Sequence, residues 1–102
     1  MDIRAAQAAA LANKQAKGLN TTNVELEFCL LTAEVGEAFT AWRRSEPGYE
    51  LELADIFLFL AGLAEMTGVD LQEAVESKMR INAARTYRRN SNGVPIKVPD
   101  VT

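Results

Sequence analysis

The chain has 102 residues, a length typical of one small domain, and 48% of them are hydrophobic. Its formal net charge of −3 leaves no excess of lysine and arginine for binding DNA or RNA. It contains no histidine and a single cysteine, Cys29, which excludes an intrachain disulfide and a thiolate cage for zinc. We therefore expect one domain that binds no nucleic acid and resides in a reducing compartment, the cytoplasm.

The sequence also gives no sign of membrane association. Its N-terminus lacks the apolar core of a signal peptide. The longest apolar run, residues 53–64, is interrupted by Asp55 and is well short of the roughly 20 residues that span a bilayer. This run predicts a buried helix.

The first half of the chain predicts two helices. Strong helix formers occupy residues 3–17, and Gly18 is placed to end that helix, whose lysines, Lys14 among them, need only be surface residues. Apolar residues then recur at steps of three and four, which predicts a second helix over residues 23–44. A turn at residues 45–48 follows.

Two further helices are predicted in the second half. Residues 49–67 are apolar on almost every side, which is typical of a central helix. Gly68 ends it, and a fourth helix is expected over residues 71–88. The glycine and prolines from residue 90 onward exclude a helix, and no alternating pattern predicts a strand. We expect a single all-α domain over residues 1–89 and an extended or flexible tail over residues 90–102.

Two pairs of carboxylates are the strongest functional signal. Glu34 and Glu37 lie three residues apart on the second predicted helix, and Glu52 and Asp55 do so on the third, so each pair shares a helix face. Antiparallel packing across the short turn would bring the pairs together. Four clustered carboxylates, one beside an apolar run, need a cation, and a hard divalent ion such as Mg²⁺ or Mn²⁺ suits oxygen ligands.

The other acidic residues have simpler interpretations. A lone pair of glutamates at this spacing is most often a solvated helix face. Glu25 can cap the second helix, and Glu27 is expected on the surface.

A polar stripe on the fourth predicted helix suggests phosphate binding. Lys78, Asn82 and Arg85 fall at positions i, i+4 and i+7 and so share one face. A lysine charge and a planar arginine fork commonly hold phosphate, and asparagine can contact phosphate or sugar. The alternative is that these cations complement the negative end of the helix.

With Glu-Val-Gly-Glu, the interval of 14 residues and Glu-Leu-Ala-Asp in place, the chain resembles the MazG-like members of the all-α nucleoside triphosphate pyrophosphohydrolases over residues 10–88. The resemblance implies a bundle of four antiparallel helices that assembles into dimers or tetramers. It further implies Mg²⁺-dependent hydrolysis of a (d)NTP to the (d)NMP and pyrophosphate, with Mn²⁺ as a substitute. The absence of further domains and inserted helices favours a housecleaning role on the nucleotide pool over dUTP specificity.

The same resemblance implies a role for each site residue. The metal ligands are Glu34, Glu37, Glu52 and Asp55, and the phosphate contacts are Lys78, Asn82 and Arg85. Either Glu34 or Glu37 is expected to act as the general base.

Two other classes of protein are alternatives to this one. A non-catalytic helical interaction module could use its carboxylates to bind a partner's lysines. A di-iron carboxylate protein would require histidine ligands, and the chain has none.

Overall fold

The structure is a computed structural model that describes residues 1–99, and it confirms the all-α prediction. The helices in this range are α1 (Ile3–Lys17), α2 (Val24–Arg43), α3 (Tyr49–Met66) and α4 (Leu71–Ala84); a short hairpin of β1 (Tyr87–Arg89) and β2 (Pro95–Lys97) follows. Within residues 1–99, no helix is both long enough and apolar enough to cross a membrane.

The helix ends follow from local chemistry. Asp2 caps α1 by accepting a hydrogen bond from the backbone N–H of Ala5, and Gly18 ends that helix in the left-handed conformation that glycine adopts without strain. The cap of α2 is Asn23, whose side chain accepts from the N–H of Leu26. The helix therefore begins at the start of the predicted range.

Residues Met1–Gln72 form one compact unit in which α3 packs against both α1 and α2. Small side chains dominate its buried apolar positions, which allows the helix backbones to approach closely; these are Ala6, Ala38, Ala41, Ala61, Leu63 and Ala64. Because α2 and α3 are joined by a short turn, they run antiparallel with the carboxylate pairs on facing turns.

Gln7 ties the start of α1 to the end of α3. Its side chain is only 2% exposed, donates hydrogen bonds to the backbone carbonyl of Val69 and to Glu65, and accepts one from the N–H of Leu71. Nearby, the Arg4 guanidinium lies 2.8 Å from the Asp70 carboxylate. These contacts fix the turn that follows α3.

The prediction of a buried, central α3 is only partly correct. Its buried residues are confined to positions 61–64, near the C-terminal end. Towards the other end its large apolar side chains are exposed on this single chain; they are Leu51, Leu53, Phe57, Leu58 and Leu60. An all-round apolar pattern identified the helix correctly but did not show which of its faces this chain covers.

The second compact unit begins at Glu73 and contains most of α4 and the hairpin. Helix α4 ends at Ala84, four residues before the predicted end, because residues 87–89 pair with residues 95–97. The Asn90 side chain accepts hydrogen bonds from the N–H groups of Asn92 and Val94, and Gly93 supplies a positive φ of 78°. The tail predicted from residue 90 thus includes the second strand of a hairpin; its last residues, 100–102, lie outside the described residues.

Candidate metal centre

The structure brings three of the four predicted metal ligands together. Glu34, Glu37 and Glu52 each present an oxygen atom, and these three atoms lie within 4.8 Å of one another. Glu34 and Glu37 are one helical turn apart on α2, and Glu52 faces them from α3. This spacing allows one cation to contact carboxylates from both helices.

The Glu34 carboxyl lies in a strongly negative environment. Burial raises the pKa of its carboxyl above the ordinary value of 4.5, and the negative charges of Glu37, Asp55 and Glu52 together with a hydrogen bond to Glu37 raise it further. Its Oε2 atom is shielded from solvent and has no hydrogen-bond partner. A buried carboxylate oxygen without a partner, next to other carboxylates, is suited to a cation.

Asp55 differs from its predicted environment. Its side chain is exposed, whereas its place in an apolar run had suggested a charge in apolar surroundings. The apolar residues around it in sequence point to other faces of α3, and several are exposed themselves. Asp55 does not belong to the group of three oxygens, yet it is close enough to raise the pKa of Glu34.

Two recesses adjoin these carboxylates. A cavity of about 330 Å³ lies between α1 and α3; Asp55 forms part of its wall together with Asn13, Lys14, Phe59 and four apolar residues, Ala9, Ala10, Leu19 and Leu58. A more open recess of about 560 Å³ is bordered by Glu37, Glu52 and the exposed Arg44. The carboxylates are therefore accessible to a ligand larger than a metal ion.

The predicted phosphate-binding residues belong to the second unit. Lys78 and Asn82 lie on α4, but Arg85 comes one residue after its end. The Arg85 guanidinium donates a 3.0 Å hydrogen bond to the side-chain oxygen of Asn82, so these two side chains are in contact. Their role in phosphate binding stays a prediction.

Sequence reasoning missed a buried ion pair in the first unit. Glu27, predicted to be a surface residue, has no exposed area, and Lys14 is only 8% exposed. The Lys14 ammonium donates to both carboxylate oxygens of Glu27 and, at 3.2 Å, to the backbone carbonyl of Asn20. One signal was available: Glu27 lies seven residues before Glu34 and so shares its helix face.

Two comparisons with known proteins agree on one family, although no family model matches the chain. Over 69 residues the chain is 38% identical to a dATP/dGTP diphosphohydrolase of cyanophage S-2L. This alignment spans 68% of the chain but only 63% of that relative's length.

The second comparison covers nearly the whole chain. A solved MazG-like pyrophosphohydrolase of cyanophage S-2L, bound to dGDP and three catalytic Mn²⁺ ions per active site, superimposes with a TM-score of 0.75 and 30% sequence identity. The match includes 99% of this chain and 97% of that one. Because the sequence identity, the fold and the coverage agree, the chain belongs to the MazG-like nucleoside triphosphate pyrophosphohydrolase family.

Proposed function

We propose that this protein hydrolyses deoxynucleoside triphosphates to the monophosphate and pyrophosphate, with divalent metal ions held by Glu34, Glu37, Glu52 and Asp55. The observation that carries the proposal is that one oxygen each of Glu34, Glu37 and Glu52 lies within 4.8 Å of the other two, and that the buried Oε2 atom of Glu34 has no hydrogen-bond partner. Such a cluster is repulsive by itself and becomes favourable when a cation binds.

The donor set fits a hard metal ion. All four side chains offer oxygen, which suits Mg²⁺ and Mn²⁺ and disfavours softer ions that prefer nitrogen or sulfur. The solved relative holds Mn²⁺. We propose Mg²⁺ as the usual ion and Mn²⁺ as its substitute.

The substrate we propose is a purine deoxynucleoside triphosphate. Both relatives are named for purine nucleotides, as a dATP/dGTP hydrolase and as a complex with dGDP. The cavity beside Asp55 suits a nucleobase because Leu58, Phe59 and two alanines offer apolar contact while Asn13 offers an amide for hydrogen bonding. By hydrolysing such nucleotides, the protein would help to control the nucleotide pool of the cytoplasm.

The carboxylates account for the chemistry. A divalent ion held by these carboxylates would neutralise the triphosphate's charge and lower the pKa of a water molecule. A glutamate that does not use both of its oxygens on metal can accept the proton of the attacking water, and we assign this role to Glu34 or Glu37. Glu52 and Asp55 would hold the metal from α3.

We further propose that three residues of the second unit bind the phosphate chain of the substrate. Lys78 and Arg85 carry positive charge and Asn82 carries an amide, which are the groups that hold a phosphate chain. We also propose a homodimer or homotetramer, because α2 and α3 expose large apolar side chains that water contacts unfavourably.

Product analysis in ¹⁸O-labelled water tests the proposal directly. Incubation with each dNTP and Mg²⁺ or Mn²⁺ should release pyrophosphate, with the label in the monophosphate. Separate assays for pyrophosphate and orthophosphate distinguish this cleavage from removal of the terminal phosphate. Nucleoside diphosphate with orthophosphate, label confined to pyrophosphate, or no metal-dependent turnover would contradict it.

A further inference from the structure

The buried Lys14–Glu27 pair lies on the same face of α2 as the carboxylate cluster. Glu27 precedes Glu34 by seven residues on α2, which places it two turns away on the same face at about 10 Å along the axis. On α3, Phe59 and Gly62 follow Asp55 by four and seven residues and therefore lie on its face.

The Lys14 side chain contacts α3 as well as Glu27 of α2. Its ammonium lies 5.4 Å from the centre of the Phe59 ring, in a cation–π contact. A methyl group added at Gly62 would meet the Lys14 Cε at 3.2 Å, so the lysine stem passes close to the α3 backbone. One side chain of α1 therefore packs against the two helices that carry the cluster.

The position of the Lys14 charge matters for a metal ion. Lys14 and Asp55 line the same cavity. An ammonium released from Glu27 would therefore have the Asp55 carboxylate in the same space. Even in place, an uncompensated positive charge beside Glu27, two helical turns from Glu34, would repel a divalent cation. Glu27 prevents both effects because it binds and neutralises this ammonium.

We propose that Glu27 is a positioning residue of the metal centre: it holds the Lys14 ammonium away from the carboxylates and cancels its charge, which leaves the cluster free for divalent metal. This inference rests on the proposed metal site. It differs from a purely structural role, since buried ion pairs contribute little net stability compared with apolar replacements.

Metal affinity, measured by calorimetry with Mn²⁺ and Mg²⁺ alone, separates the two roles. We expect Glu27→Gln to raise the Kd by about tenfold, because the Lys14 charge is then uncompensated. The double variant Lys14→Met/Glu27→Gln removes both charges and should restore the Kd to within about threefold of the original. Lys14→Met alone should lower the Kd, because the uncompensated Glu27 carboxylate then attracts the divalent cation.

Two control variants match Glu27→Gln, one in its loss of charge and the other in its loss of stability. Glu25→Gln removes an exposed carboxylate from the same turn of α2, and Leu63→Ala opens the core without changing charge; each should alter the Kd by less than about threefold. Circular dichroism at low temperature establishes that each variant is folded. If Glu27→Gln does not fold, the opposite sign expected for Lys14→Met supplies the test.

The measurement distinguishes a failure of this inference from a failure of the proposed metal site. A parent protein that binds neither Mn²⁺ nor Mg²⁺ would overturn the metal centre itself. If the parent binds metal, equal affinity in Glu27→Gln would overturn only this inference. Weaker binding in Lys14→Met, or in the folded double variant, would do the same because it would indicate a structural role.

Discussion

At the scale of single residues, Glu34 links the stability of the metal-free protein to pH. Its folded-state pKa is raised mainly by burial, with three neighbouring carboxylates adding to the effect. The folded chain therefore holds this proton more tightly than the unfolded chain does. The resulting penalty is absent below the ordinary value of 4.5 and grows as pH rises through the higher folded-state pKa.

We accordingly expect the Tm of the metal-free protein to fall, relative to that of Glu34→Gln, as pH rises from 4.5 towards neutrality. The amide stays neutral over this range, so the difference between the two curves isolates Glu34. Thermal melts in EDTA at several pH values measure it. A constant difference across the range would mean that the Glu34 proton is not coupled to folding.

A second residue-scale prediction concerns the ligand on α3. Glu52→Gln keeps the side-chain shape but removes one charged oxygen donor, and it should raise the Kd for Mn²⁺ at least about tenfold. Glu50→Gln removes an exposed charge from the same turn and should change the Kd by less than about threefold. Calorimetry on both proteins checks this, and equal losses in the two would point to general electrostatics instead of a bound ion.

The convergence of Glu34, Glu37 and Glu52 could be predicted from their spacing, because a helix repeats its faces regularly. The buried Glu27 could not, because its burial depends on Lys14 arriving from another helix. A charged residue in an amphipathic pattern is ordinarily solvated, and only the tertiary structure identifies the exception.

At the scale of elements, α4 presents the clearest test of phosphate binding. Arg85→Ala should lower kcat/KM by about ten- to a hundredfold if its guanidinium contacts phosphate, the size expected for a charge-assisted hydrogen bond. Arg80→Ala is the matched control, because that exposed guanidinium bonds Ser77 and should leave kcat/KM within about threefold. Steady-state assays with dGTP and dATP would measure both, and a similar loss in each variant would exclude a specific role for Arg85.

Helix α2 was predictable because its apolar residues repeat over many turns, and α1 because it consists of strong helix formers; Gly18 and Asn23 mark helix ends. The hairpin was not, since each strand has only three residues, too few for an alternating pattern. Asn92-Gly93 is the available signal for a hairpin turn, and it equally indicates the end of a helix. The early end of α4 follows from the same pairing.

At the scale of the whole molecule, the exposed apolar surface predicts self-association. Large apolar side chains on α2 are exposed alongside those on α3; they are Leu26, Phe28, Leu30, Val35, Phe39 and Trp42. Phe39 and Trp42 stack with ring centres 6.3 Å apart, and Phe39 is 56% exposed.

Light scattering should therefore find a dimer or tetramer, and Phe39→Glu should shift it towards the monomer because the charge would be buried without a partner. Gln15→Glu adds the same charge at an exposed position on α1 and should not dissociate the assembly. A monomeric parent protein at micromolar concentration would refute the prediction.

Metal binding should also be visible in global stability. A cation that binds only the folded cluster stabilises it by RT ln(1 + [L]/Kd), about 2.7 kcal/mol at a hundredfold excess over Kd. We expect Mg²⁺ and Mn²⁺ to raise the Tm, with the effect lost in the double variant Glu37→Gln/Glu52→Gln. Superimposable melts with EDTA and with millimolar metal would contradict a native-state site.

The contacts of Gln7 have a consequence for synthesis of the chain. Every hydrogen bond of its side chain goes to residues 65–71, so α1 cannot acquire this anchor until the turn after α3 has left the ribosome. Helices α2 and α3, joined by a short turn, depend on much closer contacts and can pair first. Within residues 1–72, α1 is therefore synthesised before α2 and α3 but can form this anchor only after both of them are complete.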